Sequence, residues 1–504
     1  MSALPRRQPS ARCEALSRLR DPRLLREYAY VDGRWCAAAD GRAIEVRDPA
    51  SGECVGFVPA LGRDQTRTAI EAAARVFPAW RALLPQQRAV RLRRWHELML
   101  EHREDLALIM TLEQGKPLAE ARGEIDYAAS FVEWFAEEAK RLNGETLASH
   151  LPNRLMHVYR EPVGVVAAVT PWNFPSAMIT RKAAAALAAG CTMVVRPSEY
   201  TPFSALALAE LAERAGIPAG VFSVVTGEAA TVVGELCANP TVRAVSFTGS
   251  TEIGRKLLAL GADTVKKMSM ELGGHAPFLL FPDVDLDGAV RAALDAKFQT
   301  SGQDCLAANR IYVHESLYEA FLTRFAAATQ ALRVGPGLDE ASQIGPLMHE
   351  RAVAKCEEQV RDAVAKGARL LCGGRRHDRG PLFFQPTVLA DVTADMLIAR
   401  EETFAPVAAV MPFQDEAEVL ALANATEYGL VAYVFSHDHD RIARLSRGLQ
   451  YGMVAVNCVK ITGHPIPFGG VKQSGLGREG GRHGIEEYTE LKYVCSAYTP
   501  YSAA

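Results

Sequence analysis

The sequence predicts an α/β fold: a doubly wound parallel sheet followed by a second α/β unit. Three observations carry this expectation. From Val163 on, short β-branched runs alternate with helical stretches, the pattern of βαβ units. A second series of the same kind runs over 276–463. No long Ser/Gly/Pro linker separates the two, so they should share broad interfaces. The length of 504 residues is roughly three domains' worth of chain.

Taken in order, Ala29-Tyr30-Val31 reads as a short strand ending in a turn at Asp32-Gly33. Helices follow over 63–82, 85–102, 103–114 and 118–141. The last carries Phe131, Trp134 and Phe135 at helical spacing, which places them in a core. Strands at 164–169, 192–195, 221–225 and 242–247 are each followed by a helix, at 177–189, 203–215, 231–238 and 251–260. In such a sheet ligands bind outside the carboxyl ends of the strands. The loops that should carry chemistry are therefore Thr170-Pro171-Trp172-Asn173-Phe174-Pro175, Arg196-Pro197-Ser198-Glu199 and Thr248-Gly249-Ser250-Thr251.

Composition narrows the function classes. With 49% hydrophobic and 23% charged residues, the chain can bury large cores. A net charge of −3 offers no electrostatic case for nucleic acid or an anionic membrane surface. No run reaches the apolar length of a membrane span. Ten cysteines without a Cys-x-x-Cys pair speak against a zinc site or a disulfide scaffold, and for a reducing, cytoplasmic compartment. Arg6, Arg7, Arg12, Arg18 and Arg20 face only Glu14 before Asp21, as in a transit peptide bound for the mitochondrial matrix. Arginine outnumbers lysine throughout, however, so the expectation for 1–27 is compositional bias in a mobile extension.

Two motifs carry chemistry together. Ser301-Gly302-Gln303-Asp304-Cys305 offers a thiol on a glycine-containing turn, and Glu271-Leu272-Gly273-Gly274 a carboxylate before a glycine pair. That combination suits attack of sulfur on a carbonyl followed by water-driven release of the product. Cys305 alone would read as a buried structural thiol. Gly249 to Lys256 lacks the Gly-Lys-Ser/Thr ending of a phosphate loop, but its place between strand and helix suits a pyrophosphate. Gly475-x-Gly477-x-x-Gly480 has no strand before it and is discounted as a dinucleotide fingerprint. Glu199 can accept hydrogen bonds from a ribose diol and would repel a 2′-phosphate, whereas Arg196 would attract one. Each such charge term is about 4 kcal/mol at 4 Å and an effective dielectric near 20, so the two cancel and the diol favours NAD, with NADP second. His437-Asp438-His439-Asp440 reads as a solvated turn opening a helix, and no metal is assigned.

Seven motifs now stand in one order: Glu113-Gln114-Gly115-Lys116-Pro117-Leu118, Thr170 to Pro175, Phe247 to Thr251, Glu271 to Gly274, Gly302-Gln303-x-Cys305, Glu401-Glu402-Thr403-Phe404, and Pro467-Phe468-Gly469-Gly470 with Gly475 to Glu479. On these residues the chain resembles the aldehyde dehydrogenase superfamily over about 28–495, and within it the succinate-semialdehyde dehydrogenase branch. The resemblance implies a dinucleotide-binding domain over 28–146 and 163–275, and a catalytic domain over 276–485. It also implies a small β element over 147–162 and 486–504 that joins subunits into a homodimer or homotetramer. Cys305 would attack the aldehyde, and the Asn173 amide and the Cys305 N–H would hold the oxyanion. Glu271 would activate water against the thioester; its presence implies a free acid product rather than a coenzyme A ester. Thr170, Pro171, Trp172, Arg196, Ser198, Glu199, Gly249 and Ser250 would line the dinucleotide path. Glu402 would hold the nicotinamide ribose and Phe404 pack near it, while Lys116 has no role assigned.

The substrate end departs from the branch. Arg181 and Thr462 match an expected arginine and hydroxyl for a distal carboxylate, with Phe468 beside them, but a second expected arginine is Gln299 here. Lys460, two residues from Thr462, is the candidate that restores the charge. Arg196 stands where lysine is usual, Asp304 beside the nucleophile is unusual, and Cys458 is a thiol that approaches from the other side or simply packs. The expected reaction is NAD-preferring oxidation of an ω-carboxylated aldehyde to its acid, most simply succinic semialdehyde, with glutaric semialdehyde second. Gln299 also permits a neutral or hydroxylated aldehyde. A non-catalytic structural or binding protein on this fold is the reading from another class.

Overall fold

In the computed structural model, which describes residues 13–500, two largely parallel sheets hold most of the strands. The first has eight strands. Val165–Val169, Thr192–Arg196 and Phe222–Val224 step outward in one direction, and Val242–Thr248 and Lys267–Glu271 continue from the other side of Val165–Val169. These five are parallel. The order reverses between Val165–Val169 and Val242–Thr248, so the crevice opens where the loops Thr170 to Pro175 and Thr248 to Thr251 leave the sheet. Every residue of Val165–Val169 and Thr192–Arg196 is buried, because helices cover both faces. That is why these strands read as continuous apolar runs rather than alternating ones.

The second sheet has seven strands in the order Arg369–Cys372, Thr387–Ala390, Val407–Phe413, Ala308–His314, Ala276–Leu280, Val431–Phe435, Met453–Val456. All neighbours are parallel except the first pair. A third, antiparallel sheet joins Glu145–Leu147, Arg154–Pro162 and Thr489–Ala497. Leu155, Tyr159, Leu491 and Tyr493 lie exposed on it.

Two expectations need correction. The segment expected as a mobile extension over 1–27 is packed from Cys13 onward. Leu24 is fully buried, and the Arg20 and Asp21 N–H groups donate to the Asp105 carboxylate at 2.9 and 2.8 Å. Arg6, Arg7 and Arg12 lie outside the described residues. The chain also returns to the first sheet before the expected border at 485. Gly475–Leu476 pairs antiparallel with Lys267–Glu271, which brings the C-terminal glycine motif against the glutamate motif. Among the described residues no helix is long and apolar enough to cross a membrane.

Candidate active site

The turn before Cys305 is unusual backbone. Thr300 (φ 50°, ψ 36°) and Ser301 (φ 56°, ψ 32°) are both left-handed, at roughly 1–2 kcal/mol each for an L-residue. Tertiary bonds hold them there. Thr300 N–H donates to Glu120 Oε1 and Oε2 at 3.0 and 3.1 Å, and Ser301 Oγ donates to the Gly345 carbonyl at 3.0 Å. Gln303 Oε1 accepts from Met348 N–H at 2.9 Å. Gly302 must be glycine: its φ is +70°, and a Cβ would lie 2.4 Å from the Ala405 carbonyl oxygen. Gly274 makes room on the other side, since a Cβ there would meet the Cys305 carbonyl at 2.3 Å.

Cys305 lies on the wall of a cavity of about 420 Å³ together with Pro171, Trp172, Asn173, Gly249, Ser250, Glu402 and Phe404. The Asn173 side chain is buried, and its Nδ2 donates one hydrogen to the Gln303 carbonyl at 3.1 Å, which leaves the other for a ligand. Trp172 and Phe404 meet edge to face with centroids 5.6 Å apart. Ser250 caps the helix Thr251–Ala262, accepting from Ile253 N–H at 3.4 Å. Glu402 accepts from Gly274 N–H at 3.0 Å, and burial pushes its carboxyl up to about 7. Thr403 Oγ1 is buried on the same wall without a hydrogen-bond partner. A helix N-terminus, an aromatic pair and an unsatisfied hydroxyl around one cavity fit a dinucleotide.

Thr170, Arg196, Ser198 and Glu199 lie outside that cavity. Thr170 is buried, with its N–H donating to the Arg196 carbonyl. Ser198 Oγ accepts from Tyr200 N–H at 3.3 Å, and Arg196 and Glu199 form an ion pair at 2.6 Å. Glu199 lines a neighbouring hollow of about 310 Å³ with Tyr200 and Met348. His349, Arg351 and Lys355, at the start of the helix Glu350–Ala365, also line the dinucleotide cavity and went unread in the sequence. Only the packing of His349 between Trp172 and Tyr200 reveals them.

Glu271 departs from expectation in its direction. Leu272 and Gly273 face the cavity, but the Glu271 carboxyl turns back, with Oε1 2.9 Å from where a Gly469 Cβ would stand. It is buried, and neither oxygen has a hydrogen-bond partner. Burial, and then the Glu479 charge, push it well above the usual carboxylate range, against Arg181, Lys182 and Arg478.

A second cavity of about 490 Å³, on the side of the nucleophile turn where Asp304 lies, contains Gln299, Lys460 and Thr462 together with Tyr127. Arg181 sits behind its wall and pairs with Glu479 at 2.7 Å. Burial opposes its charge, but Glu479 and Tyr127 outweigh that and hold it above its ordinary value. Tyr127 links it forward, its hydroxyl meeting both Arg181 and Thr462. Phe468 lies behind the wall as well, buried with its ring 4.2 Å from the Arg181 guanidinium. Lys460 is exposed and paired with Asp295 at 3.4 Å. Lys116, unassigned from sequence, donates to Glu124 at 2.6 Å and to the Asn173 carbonyl at 2.7 Å, tying the helix Leu118–Glu138 to the loop of Asn173. Of the solvated-turn reading at 437–440, Asp438 caps the helix His439–Gly448, accepting from Arg441 N–H.

The Cys305 thiol is pushed well above its ordinary value by burial, and Asp304 adds to this. Alkylation of the free protein by iodoacetamide should therefore be slower at pH 8 than for a free thiol and still rising above pH 9. Asp304→Asn should speed it at pH 8, by about tenfold for each pKa unit recovered.

Residues 35–494 match the model of the Aldehyde dehydrogenase family. The chain is 56% identical over 478 residues to succinate-semialdehyde dehydrogenase [NADP(+)] of Escherichia coli, covering 95% of this chain and 99% of that protein. It is 58% identical over 479 residues to a non-phosphorylating aspartate-semialdehyde dehydrogenase of Halomonas elongata, covering 95% and 97%. The crystal structure of an NADP-dependent enzyme from E. coli superposes with a TM-score of 0.95 at 56% identity, over 95% of this chain and all of that one. The chain belongs to the aldehyde dehydrogenase family.

Proposed function

We propose that this protein oxidises an ω-carboxylated aldehyde, most simply succinic semialdehyde, to the free acid with NAD as the preferred acceptor. The observation that carries this is the Cys305 thiol on the wall of the cavity that Trp172, Ser250, Glu402 and Phe404 share, with the Asn173 amide beside it and the Glu271 carboxyl behind. Sulfur adds to the aldehyde carbon as the thiol gives up its proton, and the Asn173 Nδ2–H and the Cys305 N–H steady the oxyanion. Losing one such donor typically costs about 10²–10³ in rate. A bound nicotinamide supplies the hydride acceptor that leaves the carbon as a thioester on Cys305. Glu271 then swings from Gly469 towards the sulfur and takes a proton from the attacking water. The direct test is absorbance at 340 nm with succinic semialdehyde and NAD; no rise would end the proposal.

At the distal end, Arg181 acts on the substrate carboxylate through Tyr127 and Thr462, since Glu479 shares its charge. Gln299 contributes a neutral hydrogen bond, worth about 1 kcal/mol against about 1.5–3 for a charged one. Lys460 is turned to Asp295 and compensates only weakly. The relatives' names point to semialdehydes that share a carboxylate, which agrees with this reading. Arg181→Ala is expected to lower kcat/KM for acidic aldehydes at least about tenfold more than for neutral ones of equal length. Parallel losses would place the carboxylate elsewhere.

NAD is favoured over NADP because Glu199 already neutralises Arg196. Glu199→Gln should release Arg196 and raise kcat/KM for NADP relative to NAD by about tenfold or more, one charge-assisted contact. The exposed sheet of Glu145–Leu147, Arg154–Pro162 and Thr489–Ala497 is the subunit contact of a homo-oligomer, where a partner would cover its edges.

A further inference from the structure

The substrate cavity carries more negative charge than an aldehyde with only a carboxylate would favour. Glu120, Glu124, Asp295 and Asp304 line it, against Lys460, and Glu124 is paired with Lys116 at 2.6 Å. Lys460 and Asp295 pair with each other and stand 74% and 56% exposed, so they cancel at the rim. Glu120 and Asp304 remain, deeper in. Among the described residues neither forms an ion pair. The oxygens of Glu120 take the Thr300 N–H, and Asp304 Oδ1 takes the Leu306 N–H at 3.0 Å. The nearest buried ammonium, Lys116, is bonded to Glu124 and to the Asn173 carbonyl. Burial above all, with a smaller push from the Asp304 charge, raises Glu120 to about 7 against the Thr300 N–H and Lys116.

The opposite pole is Arg181. It is 2% exposed, its Nε–H has no partner, and Tyr127 connects it to the cavity. Glu120 binds the N–H of Thr300, the residue after Gln299, which puts it near the end where the substrate carboxylate is proposed to bind, while Asp304 lines the same cavity beside the nucleophile Cys305. One acid near the carboxylate end and another beside the nucleophile match a ligand whose positive charge lies between its carboxylate and its aldehyde.

We propose that the preferred substrate is an aldehyde bearing an ammonium group next to its carboxylate, with the ammonium held between Asp304 and Glu120. This rests on the reading above, in which Cys305 oxidises a carboxylated aldehyde. It also gives Asp304, which hinders thiolate formation, a use in binding. Gln299 fits the same substrate, since an arginine there would repel the ammonium.

The test compares kcat/KM for L-aspartate β-semialdehyde and succinic semialdehyde. Both have four carbons and they differ by one ammonium group. The wild type should favour the amino form by at least about tenfold, the effect of one charge-assisted contact. Asp304→Asn should cut that ratio at least about tenfold, and Glu120→Gln, which keeps an acceptor for Thr300 N–H, should move it the same way. Because the ratio is the readout, damage to the nucleophile turn that slows both aldehydes leaves it interpretable. Oxidation of succinic semialdehyde without preference for the amino form overturns this inference alone, as does a ratio unmoved in both variants. Oxidation of neither aldehyde overturns the underlying reading and this inference with it.

Discussion

Glu271→Gln is expected to stop the enzyme after a single acylation: one equivalent of reduced nucleotide per active site, then turnover about 10³-fold below wild type. General-base catalysis by a positioned carboxylate contributes about 10²–10⁴. Glutamine has the same shape, so the packing against Gly469 survives and only the proton acceptor is lost. The geometry adds a pH signature. In the resting arrangement burial and the Glu479 charge keep the Glu271 carboxyl protonated well above the usual carboxylate range. A carboxyl with a raised pKa becomes a base only as pH climbs through that value. Deacylation measured in single turnover should therefore rise with pH in the wild type, and this limb should vanish in Glu271→Gln. A variant that keeps both the limb and steady turnover would assign deacylation to another group.

Cys305→Ser should do the opposite, lowering kcat by at least about 10⁴ and abolishing the initial equivalent of reduced nucleotide as well. Serine is smaller than cysteine and leaves the Asn173 amide in place, so the loss reports the chemistry of the atom rather than a collapsed turn. A hydroxyl is far harder to ionise than a thiol in a site where burial and Asp304 already oppose an anion. Acylation fails in one variant and release in the other, which separates the two halves of the reaction.

What could be read from the chain follows the range of the forces involved. The parallel strands were legible because burial on both faces makes them continuous β-branched runs, and the helix Leu118–Glu138, expected to run to 141, because its aromatics keep helical spacing. Motif order brought Cys305, Asn173, Trp172, Ser250 and Glu402 to one cavity. Tertiary placement was hidden. Thr300 and Ser301 are poor left-handed residues by local preference, and only bonds to Glu120 and Gly345, far along the chain, hold them there. Lys116 had no role assigned, and local pattern does not show what the acids around 113–124 bind. Glu113 accepts the N–H groups of Phe203 and Ser204, Glu124 those of Ser176 and Ala177, and Lys116 bridges to Asn173. A two-residue strand such as Gly475–Leu476 leaves no periodicity to read. Lys460 read as a replacement charge from its place two residues from Thr462, and its pairing with Asp295, distant in sequence, was hidden.

The account depends most on covalent chemistry at one sulfur. Rapid quench of Glu271→Gln with succinic semialdehyde and NAD, followed by mass spectrometry of the peptide containing Cys305, tests it most directly. The prediction is one acyl group on Cys305, released by hydroxylamine and formed as fast as the initial equivalent of reduced nucleotide. An unmodified Cys305 while nucleotide is being reduced would contradict it.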